Sequence, residues 1–224
     1  MKMIIKVLLL FFPWKIRRWL LVKNYKYDIH PTARIGLAYV YPHKLIMGEH
    51  SYIRDFTVAV NCDKIELSPY ASISRQCWIT GFPTGTKSAE FSYDNNRKAE
   101  LILGEHSKIM KKHHIDCTNQ VKIGKFVTIA GYDSQILTHS INIHTNRQES
   151  NPVEIGEYSF VSTKVVILGG SRLPSYSILG AGAVLNKYYD DDFSYNLFGG
   201  LPAKPVKKLS TDEPYFLRDA GAVK

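Results

Sequence analysis

The sequence predicts an all-β fold, a parallel β-helix solenoid with an N-terminal helical segment, projecting loops and a short C-terminal helix. Three observations carry this. Aliphatic residues recur at every sixth position through Ile155, Val161, Ile167, Leu173, Leu179 and Leu185. Four places after the first five of these stand Ser159, Val165, Ser171, Ser177 and Ala183, all small or β-branched. The same period returns upstream in Ile29, Ile35, Met47, Ile53 and Ile65 with Tyr41 and Ala59 as weaker members, then in Leu67, Ile73 and Ile79, in Leu103, Ile109, Ile115 and Val121, and in Ile123 and Ile129. Period six matches neither an α-helix nor an alternating strand. It fits a coil that turns a corner at regular intervals and buries one aliphatic per side, and stacked coils of this kind form parallel sheets around a continuous core.

Residues 1–27 form the first element. Of the 29 Lys and Arg in the 224-residue chain, seven lie here (Lys2, Lys6, Lys15, Arg17, Arg18, Lys23, Lys26) and no acid does, so the remaining chain carries 22 basic against 20 acidic residues. The net charge of +9 is therefore concentrated at one end. A nucleic-acid-binding body would carry a basic stripe of its own, and no nucleic-acid partner is expected. The apolar run Val7 to Phe12 is too short to span a bilayer, and Pro13-Trp14-Lys15 with the Arg17-Arg18 pair takes the place of a signal cleavage site. Interleaved apolar and cationic residues fit two roles: a peripheral contact of residues 1–23 with the inner face of the cell membrane, or a helix packed on the folded body.

Residues 28–203 form the solenoid. Two stretches break its period, 82–100 and 140–152, and both are expected to project as loops, where function commonly sits on a rigid scaffold. Residues 204–224 form a capping tail in which Ser210 to Glu213 has the capping pattern of a short helix. Cys62, Cys77 and Cys117 share no ligand-like spacing, which argues against a disulfide framework and for a reducing, cytoplasmic setting.

The pattern Ile155-Gly156-Glu157-Tyr158-Ser159-Phe160 and its successors resembles the hexapeptide-repeat acyltransferases. That resemblance implies left-handed coils with three hexads each, an acetyl-CoA donor and a homotrimer. The block Ile123 to Ser140, with Pro152-Val153-Glu154-Ile155-Gly156 resuming the coil, is similar to the sugar and polysaccharide O-acetyltransferases of the family, in which a histidine ends a coil just before an excursion. The resemblance implies that His139 removes the proton of an acceptor hydroxyl on a sugar or cell-surface polysaccharide precursor. Histidine suits that task because its unperturbed pKa lies near neutrality. Asp116, His114 and Asn142 are the implied acceptor contacts. Thr163, Gly180, Ala181, Lys187, Ala203 and Lys204 are the implied contacts to coenzyme A, and no metal is implied.

A second reading keeps the fold and changes the chemistry. The spacing of His139 and His144, with His113 or His114 upstream, is similar to the three-histidine zinc site of γ-class carbonic anhydrases. The polar loop after His139 counts against it.

Overall fold

The computed structural model describes residues 2–86, 89–91, 93–94 and 96–221; positions 87, 88, 92 and 95 of the first expected loop and 222–224 of the tail lie outside the described residues. Two helices, α1 (Lys2–Leu8) and α2 (Trp14–Tyr25), precede a stack of coils whose short strands fall into three parallel sheets. Each coil contributes one strand to each sheet, which gives a three-sided, left-handed parallel β-helix.

Register turns the sixfold period into columns. On the first face Ile29, Met47, Leu67, Leu103, Ile123, Ile155 and Leu173 stack in line. The second face stacks Ile35, Ile53, Ile73, Ile109, Ile129, Val161, Leu179 and Phe198. The third stacks Val40, Ala59, Ile79, Ile115, Ile136, Ile167 and Leu185. All are buried and belong to one core. Val40, not Tyr41, fills the inward place on the third face of the first coil; Tyr41 lies one position past it and packs against Tyr25 and Tyr39.

Most bonds between coils run from a backbone N–H to a carbonyl of the next coil, as from Gly36 to Ile53 and from Tyr39 to Thr57, with a few corner bonds such as Phe56 to Leu37 running back. The first coil is therefore left with outward carbonyls, and the helical segment caps them. Arg17 donates to the carbonyls of Gly36 (2.7 Å) and Ala38 (2.6 Å), Arg18 to that of Ile29, and Trp14 Nε1 to that of Ala33 (3.1 Å). Arg17 and Leu21 are buried beneath α2. At the far end Asn196–Gly199 pairs antiparallel with Lys204–Lys208, which covers the last sheet edge.

Two expectations change. Residues 139–150 are not an irregular loop but a hairpin in which His139–Asn142 pairs antiparallel with Arg147–Ser150. The tail forms a strand followed by turns, and no helix covers Ser210 to Glu213. The tail runs back along the corner between the first and second faces. There Tyr215 donates to the Ser159 carbonyl, and Phe216 meets the edges of Tyr176 and Tyr195. Packing against a ladder of stacked rings at that corner replaces local helix formation.

Candidate functional site

The corner between the third and first faces builds the site. Its first excursion leaves at Gly81, where a Cβ would stand 2.6 Å from the backbone of Cys117. The second leaves after Thr138, two coils higher. Between them lies the unbroken corner that follows the strand His114–Asp116, so the two excursions enclose Asp116 from either side.

Asp116 is buried, and both carboxylate oxygens are engaged. Oδ1 accepts from the backbone N–H (3.0 Å) and the hydroxyl (2.6 Å) of Thr118. Oδ2 accepts from the N–H (2.8 Å) and hydroxyl (2.8 Å) of Thr138, from the N–H of His139 (3.1 Å) and from His139 Nδ1 (2.7 Å). Burial works against ionisation here, but the bonds from His139, Thr118 and Thr138 outweigh it and hold the carboxyl down at about 2. The same bond raises His139 above its ordinary 6.5 against the opposing effect of burial. With Nδ1 fixed by the carboxylate, Nε2 is the ring nitrogen left for chemistry, and the side chain is 33% exposed.

Aromatic edges shape the mouth. Phe82 and Phe91 meet the His139 ring edge-on at 6.0 and 6.1 Å. Arg97 holds the first excursion in place: its buried guanidinium donates to the carbonyls of Phe82, Pro83 (3.0 Å) and Thr118 (3.1 Å) and lies 4.7 Å from the Phe91 ring. Asp63 ties down both ends of that excursion by accepting from Thr84 and from the N–H of Ala99. The hairpin is tethered to the same ensemble, since Asn119 Nδ2 donates to Ser150 Oγ, which donates to Asp94 (3.1 Å each).

The residues expected from sequence are distributed unevenly. Asp116 belongs with His139, but its carboxylate orients the imidazole and has no oxygen left to face an acceptor. His114 is exposed on the outer side of the third face beside Trp78 and Gln135. Asn142 stands at the hairpin tip, where its amide donates to Glu149 (2.6 Å) and accepts from the N–H groups of His144 and Thr145. Its polar atoms serve the turn. Of the expected coenzyme A contacts, only Lys187 shares the corner of His139. Thr163, Gly180 and Ala181 lie on the corner at the other edge of the third face, where Thr163 Oγ1 donates to the Tyr132 carbonyl (2.9 Å). Ala203 is fully buried and accepts from Tyr189, while Lys204 is exposed at the start of the terminal strand.

Sequence reasoning missed Thr118, Thr138, Arg97 and the ring edges. It also passed over Gly169 and Gly170, which occupy the same corner one coil above His139. A Cβ on Gly169 would come 2.7 Å from the Thr138 carbonyl, and Gly170 has φ +81°, with the Asn151 Cβ 3.7 Å from where its own Cβ would stand. This glycine pair lies on the corner between His139 and Lys187.

The zinc reading fails on placement. His113 is buried, its Nδ1 accepts from the Ser134 N–H (3.2 Å), and burial pushes it down to about 4. His144 is at the exposed hairpin tip, and the Nδ1 of His139 belongs to Asp116. Among the described residues no three His, Cys, Asp or Glu side chains come together as a metal-ligand set.

No protein-family model matches the chain. "Putative acetyltransferase SACOL2570" of Staphylococcus aureus (strain COL) is 31% identical over 80 residues, covering 34% of this chain and 39% of that protein. The chain thus matches well under half the length of this curated relative. Among solved structures the polysialic acid O-acetyltransferase OatWY superposes with a TM-score of 0.59 at 16% identity, over 86% of this chain and 90% of the other. A hexapeptide transferase family protein from Anaplasma phagocytophilum gives a TM-score of 0.49 at 18% identity, over 85% and 82%. The first of these structures establishes a shared fold. The coil stack read from the sequence therefore has its counterpart in a fold of known structure.

Proposed function

We propose that the chain is a coenzyme A-dependent O-acetyltransferase that moves an acetyl group from acetyl-CoA to a hydroxyl of a sugar or cell-surface polysaccharide precursor. The observation that carries this is the 2.7 Å bond between His139 Nδ1 and the buried Asp116 carboxylate, set between the two excursions from the coil stack. Asp116 fixes the tautomer with Nε2 free of its proton and stabilises the imidazolium once it forms. Nε2 takes the proton of the acceptor hydroxyl as its oxygen attacks the thioester carbonyl. The carbon–sulfur bond then breaks, and the proton on His139 passes to the departing coenzyme A thiolate. Asp116 is here a positioning residue and His139 the catalytic one.

Acetyl-CoA enters as a substrate. Its pantetheine arm is assigned a path along the corner at Gly169 and Gly170, with Lys187 as a point charge for phosphate. Thr163, Gly180, Ala181 and Lys204, on the opposite corner of one chain, would serve such a ligand only if a neighbouring copy brought that corner to His139. The expected homotrimer supplies such a copy, and light scattering checks it. The acceptor mouth is assigned to Phe82, Phe91 and His114. The expected setting is the cytoplasm, with residues 1–23 at the inner face of the membrane; no helix among the described residues is long and apolar enough to cross it.

The test is thiol release from acetyl-CoA in the presence of glycan acceptors. Transfer that disappears in His139→Ala supports the reading, and transfer that survives it removes His139 from the chemistry.

A further inference from the structure

The helical segment does two things at once, and its two sides divide the work. One side is spent on the first coil: Trp14, Arg17 and Arg18 donate to four of its carbonyls, and Leu21 is buried. The other side carries Ile16, Trp19 and Val22 into solvent, and α1 with its continuation adds Met3, Ile4, Ile5, Val7, Leu8, Phe11 and Phe12. Phe11 is 73% exposed and Ile4 63%. An apolar surface of this continuity, on an end cap already fixed by arginines, is not needed for packing. Lys15, Lys23 and Lys26 stand exposed among these residues, with Lys23 4.7 Å from the Trp19 ring. No acid occurs in residues 1–27.

We infer that this face is a membrane anchor that lies in the plane of an anionic bilayer and stands the solenoid on end upon it. Apolar side chains enter the acyl boundary while lysines meet lipid phosphates. Charge complementarity selects the bilayer over a second copy of the chain, because two such faces would bring cation against cation. The orientation follows from the capping bonds, which bind the segment across the open end of the coil stack and not along one side.

Orientation fixes height. His139 follows the third-face strand of the fifth coil, four coil steps from the cap, which places it about 20 Å above the first coil at about 4.8 Å per step. Where the acetyltransferase reading holds, the acceptor is then a glycan carried on a membrane lipid, with its reacting hydroxyl several sugar units away from the lipid. This last clause rests on that reading; the anchor and its height do not.

The experiment uses the full chain and vesicles. Co-sedimentation with phosphatidylglycerol vesicles is expected to be at least about tenfold stronger than with pure phosphatidylcholine and to fall with added salt. The triple change Ile4→Asp, Phe11→Asp, Trp19→Asp is expected to abolish it while the thermal midpoint holds, since all three side chains are exposed. Energy transfer to a headgroup dye then reads the height from Phe56→Cys or Tyr132→Cys, labelled singly because the native cysteines are all buried. These two sites share one corner three coils apart, so the Tyr132 site should lie about 14 Å farther from the surface. Equal distances mean a chain lying on its side and overturn the orientation. Failure to sediment, or a stable oligomer held through Phe11 and Trp19 in place of lipid binding, overturns the anchor. None of these readouts depends on turnover, so loss of acetyl transfer in His139→Ala leaves the inference standing.

Discussion

Replacing Asp116 by Asn tests the pairing at the centre of the site. The substitution keeps the size of the side chain and removes the charge that four donors on Oδ2 and two on Oδ1 now share. An amide offers one acceptor oxygen and turns an NH2 toward the other cluster of donors, so at least one of the two groups of bonds is lost. The carboxyl sits at about 2 against an ordinary 3.8, which corresponds to about 2–3 kcal/mol of stability. Because the folded value is depressed, that contribution is complete above the ordinary carboxylate range and fades as pH falls toward 2. His139 behaves in the opposite sense. Its raised value means a contribution present below 6.5 and lost as pH rises through the folded value. In Asp116→Asn the largest influence opposing burial is gone and only the nearby Glu90 carboxylate still works against it, so His139 titrates at lower pH than in the wild type. The acid limb of the kcat/KM profile moves down with it, while the plateau drops by about 10²-fold or more because the tautomer is no longer fixed. NMR titration of the His139 ring gives the first readout without any acceptor, and chemical denaturation at neutral and acid pH gives the second. An unchanged His139 titration in the variant would refute the pairing, as would a stability difference that fails to close on acidification.

Three further outcomes are expected. His139→Ala should lower turnover by about 10²–10⁴-fold and cost in stability only the share of the Asp116 contribution that its bond supplies, because the ring is partly exposed and fills no core position; a larger loss of stability than in Asp116→Asn would make the residue structural. Gly169→Ala drives a Cβ against the Thr138 carbonyl and should cost about 1–3 kcal/mol by denaturation, with an increase in KM for acetyl-CoA; an unperturbed KM would remove the glycine pair from the donor's path. Arg97→Ala leaves the carbonyls of Phe82, Pro83 and Thr118 without their donor. Hydrogen exchange should then accelerate within residues 82–100 while the coil columns stay protected, and exchange that remains slow would show that other contacts hold the excursion.

The coil columns were legible in the sequence because each inward place is filled by an aliphatic at a fixed period, and burial enforces that choice. Tyr41 misled the count because the corner between the second and third faces of the first coil is one residue short, so that Val40 comes five places after Ile35 where Ala59 comes six after Ile53, and period counting cannot see corner length. His139 was legible through its place at the end of a coil. The role of Asp116 was not: a coil of hexads can set it on the rung next to His139, but spacing does not say that its carboxylate bonds the imidazole and not an acceptor. Thr118 and Thr138 carry no pattern, as threonine is common at coil corners. Residues 140–152 read as aperiodic because a two-stranded hairpin outside the core has little to bury. The terminal helix failed for a tertiary reason: Tyr215 and Phe216 gain more by packing on the ring ladder than residues 210–213 gain by closing one helical turn. The basic N-terminal segment left two roles open in the sequence. In the structure the packing role accounts for one side of the helix, where Arg17 faces the coil, while Trp19 on the other side faces solvent.

The account turns on acetyl transfer through His139. The direct measurement is the incorporation of label from radiolabelled acetyl-CoA into hydroxyl groups of membrane glycans, compared for wild type, His139→Ala and Asp116→Asn across pH. The account predicts an alkali-labile ester formed by the wild type, absent in His139→Ala, and formed slowly in Asp116→Asn with its acid limb displaced downward. Label incorporated equally well by His139→Ala would contradict it.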